Sequence, residues 1–132
     1  MNEPIHPLQA MVDGMNAQMQ RDRAKSQLTL GGLIAVLKAM PTGSRVANLV
    51  RPHSYRGYYT DLAFMQEEGT RSCESLFSEC TAAMGQVFEG YKGGDFVMGA
   101  LTPLWVSDYG RASGTRLMAV YPDGRIETEQ EK

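Results

Sequence analysis

Arg56 lies within Pro52-His53-Ser54-Tyr55-Arg56-Gly57-Tyr58-Tyr59, a segment that joins one guanidinium and one glycine to three tyrosines. A guanidinium fork matches phosphate geometry in a bidentate way, and tyrosine rings can cover a base or a ribose. The combination returns downstream as Glu89-Gly90-Tyr91-Lys92-Gly93-Gly94-Asp95-Phe96. There Lys92 offers a mobile countercharge, while Gly93 and Gly94 let a ligand approach the backbone and expose amides to an anion. Each segment also has a plainer reading. The first can be a strand-leading turn with a packed Tyr55 and a solvated Arg56, the second a hairpin tip kept soluble by Lys92.

A third stretch runs from Thr102 to Arg116. With Leu104 and Val106 facing a core, alternation puts Trp105 and Ser107 on the opposite side, where Trp105 is either a dimer anchor or a ligand platform. Asp108 and Tyr109 can read the donor groups of a base, and Arg111 and Arg116 either bind phosphate or merely flank the loop. The candidate ligand contacts are therefore Tyr55, Arg56, Gly57, Tyr59, Tyr91, Lys92, Gly93, Gly94, Trp105, Asp108, Tyr109, Arg111 and Arg116.

Machinery for bond breaking is harder to find. His53 is the one plausible general acid or base, and its place after Pro52 favours a structural or solvent-facing role. Ser54 and Ser107 sit in no nucleophile motif. Asp61, Glu67, Glu68, Glu79 and Asp95 lack the pattern of a phosphodiesterase metal site. The GxxxxGK[ST] phosphate-loop spacing is absent, so a nucleoside triphosphatase is not supported. The expectation is a nucleotide-like small molecule held intact, with no catalytic residue, metal or cofactor.

The chain has 132 residues, of which 42% are hydrophobic, enough for one core and short for two. Thirteen Lys and Arg against fifteen Asp and Glu give a net charge of −2, which argues against a general electrostatic grip on long DNA or RNA. Cys73 and Cys80 fall on the apolar side of one predicted helix, about 10 Å apart and too far for a bridge, so they read as buried free thiols in a reducing compartment. The longest apolar run, Leu30 to Leu37, is far below membrane-spanning length, and the N-terminus lacks a signal-peptide core. A cytoplasmic protein with no membrane partner is expected.

Residues 1–27 form a Gln-, Asn-, Arg- and Met-rich extension in which Met11, Met15 and Met19 make one narrow apolar helical stripe, set before a single domain at 28–132. This helix either frays or rests on the domain surface, or it docks on a partner subunit. Thr29 caps a helix predicted over Leu30 to Met40, ended by Pro41-Thr42-Gly43, and a second helix is predicted over Ser72 to Met84 with Gly85 just beyond. Strands are predicted at Arg45 to Val50, Tyr58 to Met65, Gln86 to Gly90, Phe96 to Met98, Leu104 to Asp108 and Arg116 to Tyr121. Gln66 to Arg71 reads as a polar loop. After the Pro122-Asp123-Gly124 turn, the charged tail either adds an edge strand or stays loose. The fold class is α+β: an antiparallel sheet carrying two amphipathic helices on one face.

The ordered set of Leu28-Thr29-Leu30-Gly31, Ser54-Tyr55-Arg56-Gly57, Val87-Phe88-Glu89-Gly90-Tyr91-Lys92-Gly93-Gly94-Asp95-Phe96 and Leu104-Trp105-Val106 with Gly110 resembles a small phage protein family. The family is that of the first-described Thoeris anti-defence sponges, and the likeness runs from Leu28 to Tyr121. It implies a soluble homo-oligomer built from dimers, acting in the cytoplasm of an infected bacterium. Such a sponge captures cyclic ADP-ribose isomers made by TIR-domain enzymes, and members are also associated with cyclic di- or trinucleotides at separate sites. By motif match, Arg56 and its tyrosines, Tyr91 to Gly94 and the Asp108 to Arg116 loop would carry the contacts. The family tolerates Trp where this chain has Tyr55 and Tyr91, whereas the loop around Asp108 and Tyr109 departs further from its pattern. Two other classes fit parts of the sequence: a phage inhibitor that binds a host protein through Trp105 and the methionine stripe, and a cyclic-nucleotide phosphodiesterase using His53 with Arg56 and Lys92.

Overall fold

The computed structural model describes residues 7–130, with side chains described for Met15 and from Ala17 onward. In chain order the elements are α1 (Pro7–Ser26), α2 (Leu30–Ala39), β1 (Arg45–Tyr55), β2 (Tyr58–Ser72), α3 (Cys73–Ala83), β3 (Val87–Glu89), β4 (Asp95–Val97), β5 (Leu104–Val106), β6 (Thr115–Val120) and β7 (Ile126–Gln130). The fold is α+β. Five strands form one sheet in the order β1-β2-β5-β6-β7, and β3 and β4 form a separate two-stranded ribbon.

Both predicted core helices form where their caps and periodicity require. Thr29 accepts a hydrogen bond from the Gly32 amide at 3.1 Å, and Ser72 caps α3 by accepting from the Ser75 amide at 3.1 Å. Leu30, Leu33 and Leu37 of α2 meet Cys73, Leu76 and Cys80 of α3 over Val46, Leu49, Leu62, Phe64, Leu104 and Leu117 of the sheet. Cys73 and Cys80 are buried free thiols; burial raises both, Cys80 to about 12.

The strands depart from the sequence reading in length and direction. Both β1 and β2 run past their predicted ends, so most of Pro52 to Tyr59 is strand and only Arg56-Gly57 forms the turn between the paired Tyr55 and Tyr58. The expected polar loop at Gln66 to Arg71 is the second half of β2, laddered to Arg45 through Leu49. Its Gln66 to Thr70 stretch is exposed, so no apolar alternation marks it, and pairing with β1 holds it extended. The sheet is also not wholly antiparallel: Leu62, Ala63 and Phe64 pair in parallel with Leu104, Trp105 and Val106. Parallel neighbours need a long crossover, which α3 and the β3–β4 ribbon supply. The charged tail adds edge strand β7, antiparallel to β6.

The second sheet face is covered as well. Alternation from Leu62 and Leu104 turns Asp61, Ala63 and Trp105 away from α2 and α3, and α1 docks there. Gln20 donates to the Thr60 carbonyl at 3.0 Å and Gln27 to the Leu104 carbonyl at 2.7 Å, while Arg23 reaches Asp61. Met15 and Met19 stay exposed; the side chain of Met11 lies outside the described residues. Among the described residues no helix is long and apolar enough to cross a membrane.

Candidate ligand site

Arg56 occupies the tight β1–β2 turn, and from there its guanidinium crosses to two other loops. Nη1 donates to the Gly110 carbonyl at 2.6 Å, and the guanidinium carbon lies 4.6 Å from the centre of the Tyr91 ring. Tyr91 meets Tyr109 edge to face at 5.9 Å, and Tyr109 meets His53 at 5.5 Å. Three segments far apart in sequence thus converge through Arg56, Tyr91 and Tyr109. Among the described residues one guanidinium N–H is used, on Gly110, and the fork carries further donors that suit a ligand.

The loop after β5 is fixed from beneath by Tyr55. Its hydroxyl donates to the Ala112 carbonyl at 2.6 Å and accepts from the Gly114 amide at 2.9 Å. Gly110 has φ 82°, and a Cβ there would lie 2.9 Å from the Tyr91 ring. Only glycine meets both demands without strain. Beside this loop, Gln66, Ser107, Asp108, Arg111 and Ser113 line a polar recess of about 240 Å³. Asp108 and Arg111 are 3.9 Å apart at its rim and both are well exposed.

The other predicted contacts fall elsewhere. Tyr59 stacks on Phe96 at 5.4 Å, joining the ribbon to β2. Lys92, Gly93 and Gly94 are exposed at the ribbon tip, where the Gly93 amide is used on the Gly90 carbonyl. Gly57 is exposed in the Arg56 turn. Arg116 lines a cleft of about 300 Å³ beneath α1, with Met19, Asp22, Arg23, Ser26, Tyr58 and Trp105.

Trp105 corrects the sequence reading most. Its side of β5, expected to be open, is closed, and the residue is 0% exposed. The indole stacks on Tyr55 at 4.4 Å and donates from Nε1 to Asp61 Oδ2 at 2.8 Å. Pattern alone cannot distinguish an open face from one covered by α1 and a loop.

The sequence reading did not connect Arg23 with Asp61, and it placed Tyr58 only among the tyrosines around Arg56. Asp61 accepts from Arg23 Nε at 2.7 Å and Nη2 at 2.9 Å, and Arg23 lies 4.0 Å over the Tyr58 ring. Burial drives the Asp61 pKa above its usual value, opposed by the hydrogen bonds from Arg23 and Trp105. One acidic residue beside Leu62-Ala63-Phe64 was the available signal.

No protein-family model, curated protein or solved structure matches the chain. The arrangement offers rings, a guanidinium fork and polar groups around shallow recesses. The described residues contain no cluster of three or more His, Cys, Asp or Glu able to hold a metal ion. Such a surface suits recognition of a planar, anionic molecule.

Proposed function

We propose that this protein is a non-catalytic sponge that binds cyclic ADP-ribose isomers and holds them intact, in the manner of the Thoeris anti-defence proteins it resembles. The observation that carries this reading is the meeting of Arg56, Tyr91 and Tyr109 from three separate segments. In the bound state the Arg56 fork takes a phosphate, Tyr91 and Tyr109 cover the base or ribose, and Asp108 and Arg111 reach its polar edge.

Tight capture needs more than one protomer's loops. Nanomolar affinity corresponds to about 12 kcal/mol, whereas one charge-assisted hydrogen bond or one stacking contact contributes about 1–3 kcal/mol. The recesses of a single chain are open to solvent, so the proposal includes a homo-oligomer built from dimers in which a second copy encloses the ligand. Cyclic di- or trinucleotides are further candidate ligands at separate positions.

The test is capture and recovery. The protein is incubated with product of a TIR-domain enzyme, freed of unbound ligand and heat-denatured. Intact ligand in stoichiometric yield supports the sponge. Product exceeding the protein in moles would instead support a phosphodiesterase, and no captured nucleotide would reject the reading.

A further inference from the structure

His53 stands in a part of β1 that breaks the rules of its strand. Arg51 has φ 52°, the one positive-φ residue other than glycine among those described, and it precedes Pro52. The β1–β2 register jumps here from Val50↔Met65 to His53↔Ala63, placing an extra residue in β1. Bulges and strained backbone persist where surrounding structure holds them, and they commonly re-aim a side chain toward a site.

The consequence is an imidazole with one satisfied nitrogen. His53 Nδ1 lies 2.7 Å from the Arg51 carbonyl oxygen, which can only accept, so Nδ1 carries the proton. In the neutral ring Nε2 is then a lone-pair acceptor. It is buried and, among the described residues, has no hydrogen-bond partner, within a residue that is only 8% exposed. Native proteins rarely leave a buried acceptor open. Against the ring lies Tyr109, itself 57% exposed, at 5.5 Å and 75°. Gly110, with its positive φ, follows at once in the same loop.

We infer that His53 is a specificity-determining contact of the Arg56 site, gated by Tyr109. When ligand enters, Tyr109 moves off the imidazole and onto the base or ribose, and Nε2 accepts a hydrogen bond from a donor on the bound nucleotide, a base amine or a ribose hydroxyl. This rests on the nucleotide-binding reading above and deepens it. A site built around an unmet acceptor rejects analogues that lack the matching donor, because binding them leaves the acceptor buried and unpaired.

The experiment measures binding of a TIR-generated cyclic ADP-ribose isomer to the full chain, to His53→Phe and to His53→Gln, with NMR of the imidazole nitrogens in the parent. The expected result is binding about tenfold weaker in His53→Phe, partial recovery in the acceptor-bearing His53→Gln, and movement of the Nε2 resonance with Nδ1 nearly still. With the hypoxanthine analogue of the probe, loss of the His53→Phe effect assigns the donor to the base amine, and its persistence assigns a ribose hydroxyl. If His53→Phe fails to fold, the parent's Nε2 resonance decides alone. Parental affinity in folded His53→Phe, or an Nε2 resonance unmoved at saturation, overturns the inference and leaves the sponge reading standing. No binding of the probe by the parent overturns both.

Discussion

Arg23 and Asp61 form a bidentate ion pair, 2.7 and 2.9 Å, across the junction of α1 and the sheet, with the carboxylate wholly removed from solvent. Removing one partner of a buried pair strands the other charge. Arg23→Ala is expected to lower stability by about 3 kcal/mol and to release α1. Denaturant unfolding with amide exchange across Pro7–Ser26 measures both effects. Unchanged protection of α1 would show that Gln20 and Gln27 suffice to dock it.

The same carboxylate predicts a pH dependence. Burial places the folded-state pKa of Asp61 above its ordinary value of 3.8, so the folded protein holds this proton more tightly than the unfolded chain. Its contribution is full below 3.8 and is lost as pH rises through the raised folded value. The stability of the parent minus that of Asp61→Asn should therefore slope downward with pH over that window. A rising difference would mean that Arg23 outweighs burial.

Arg56→Ala removes the cation from the meeting point of three loops, along with its Gly110 hydrogen bond and its place over Tyr91. Binding of a cyclic ADP-ribose isomer is expected to fall at least tenfold, since a charge-assisted contact contributes about 1.5–3 kcal/mol. Far-ultraviolet circular dichroism should match the parent. Equal affinity by calorimetry would remove Arg56 from the site.

Gly110→Ala tests whether loop geometry matters independently of charge. Alanine is strained at φ 82°, and its Cβ would press on the Tyr91 ring. A loss of about 1–2 kcal/mol in stability and a several-fold loss in ligand affinity are expected. Calorimetry and thermal unfolding of the same sample separate the two.

Cys80 should be inert in the native state. Burial pushes its thiol up to about 12, and the residue is wholly enclosed. At pH 8 an aromatic disulfide reagent should modify Cys80 only at the rate of unfolding, with both thiols reacting promptly in denaturant. Immediate labelling of Cys80 in folded protein would contradict the packing of α2 on α3.

How far the sequence reached depended on how local the signal was. Thr29 marked the first core helix as its cap, and the 3.6-residue period of Cys73, Leu76, Phe77 and Cys80 marked the second, because such signals are written within a few turns. Leu62-Ala63-Phe64 was legible as strand, but Gln66 to Thr70 was not, since only pairing with β1 holds that polar run extended. Arg56, Tyr91 and Tyr109 were singled out by residue type, whereas Asp61 and Arg23 escaped because each is ordinary until the other is beside it.

The sequence alone therefore determined the α+β class, the two core helices, the buried thiols and the chemical character of three loops. Local periodicity and capping act over a few residues and need no knowledge of distant chain. Only the tertiary structure decided that β5 lies parallel to β2, that α1 closes the face bearing Trp105, and that Arg56 reaches Gly110. Those outcomes depend on side chains tens of residues apart satisfying each other's charge, hydrogen bonds and volume, and no single segment carries that information.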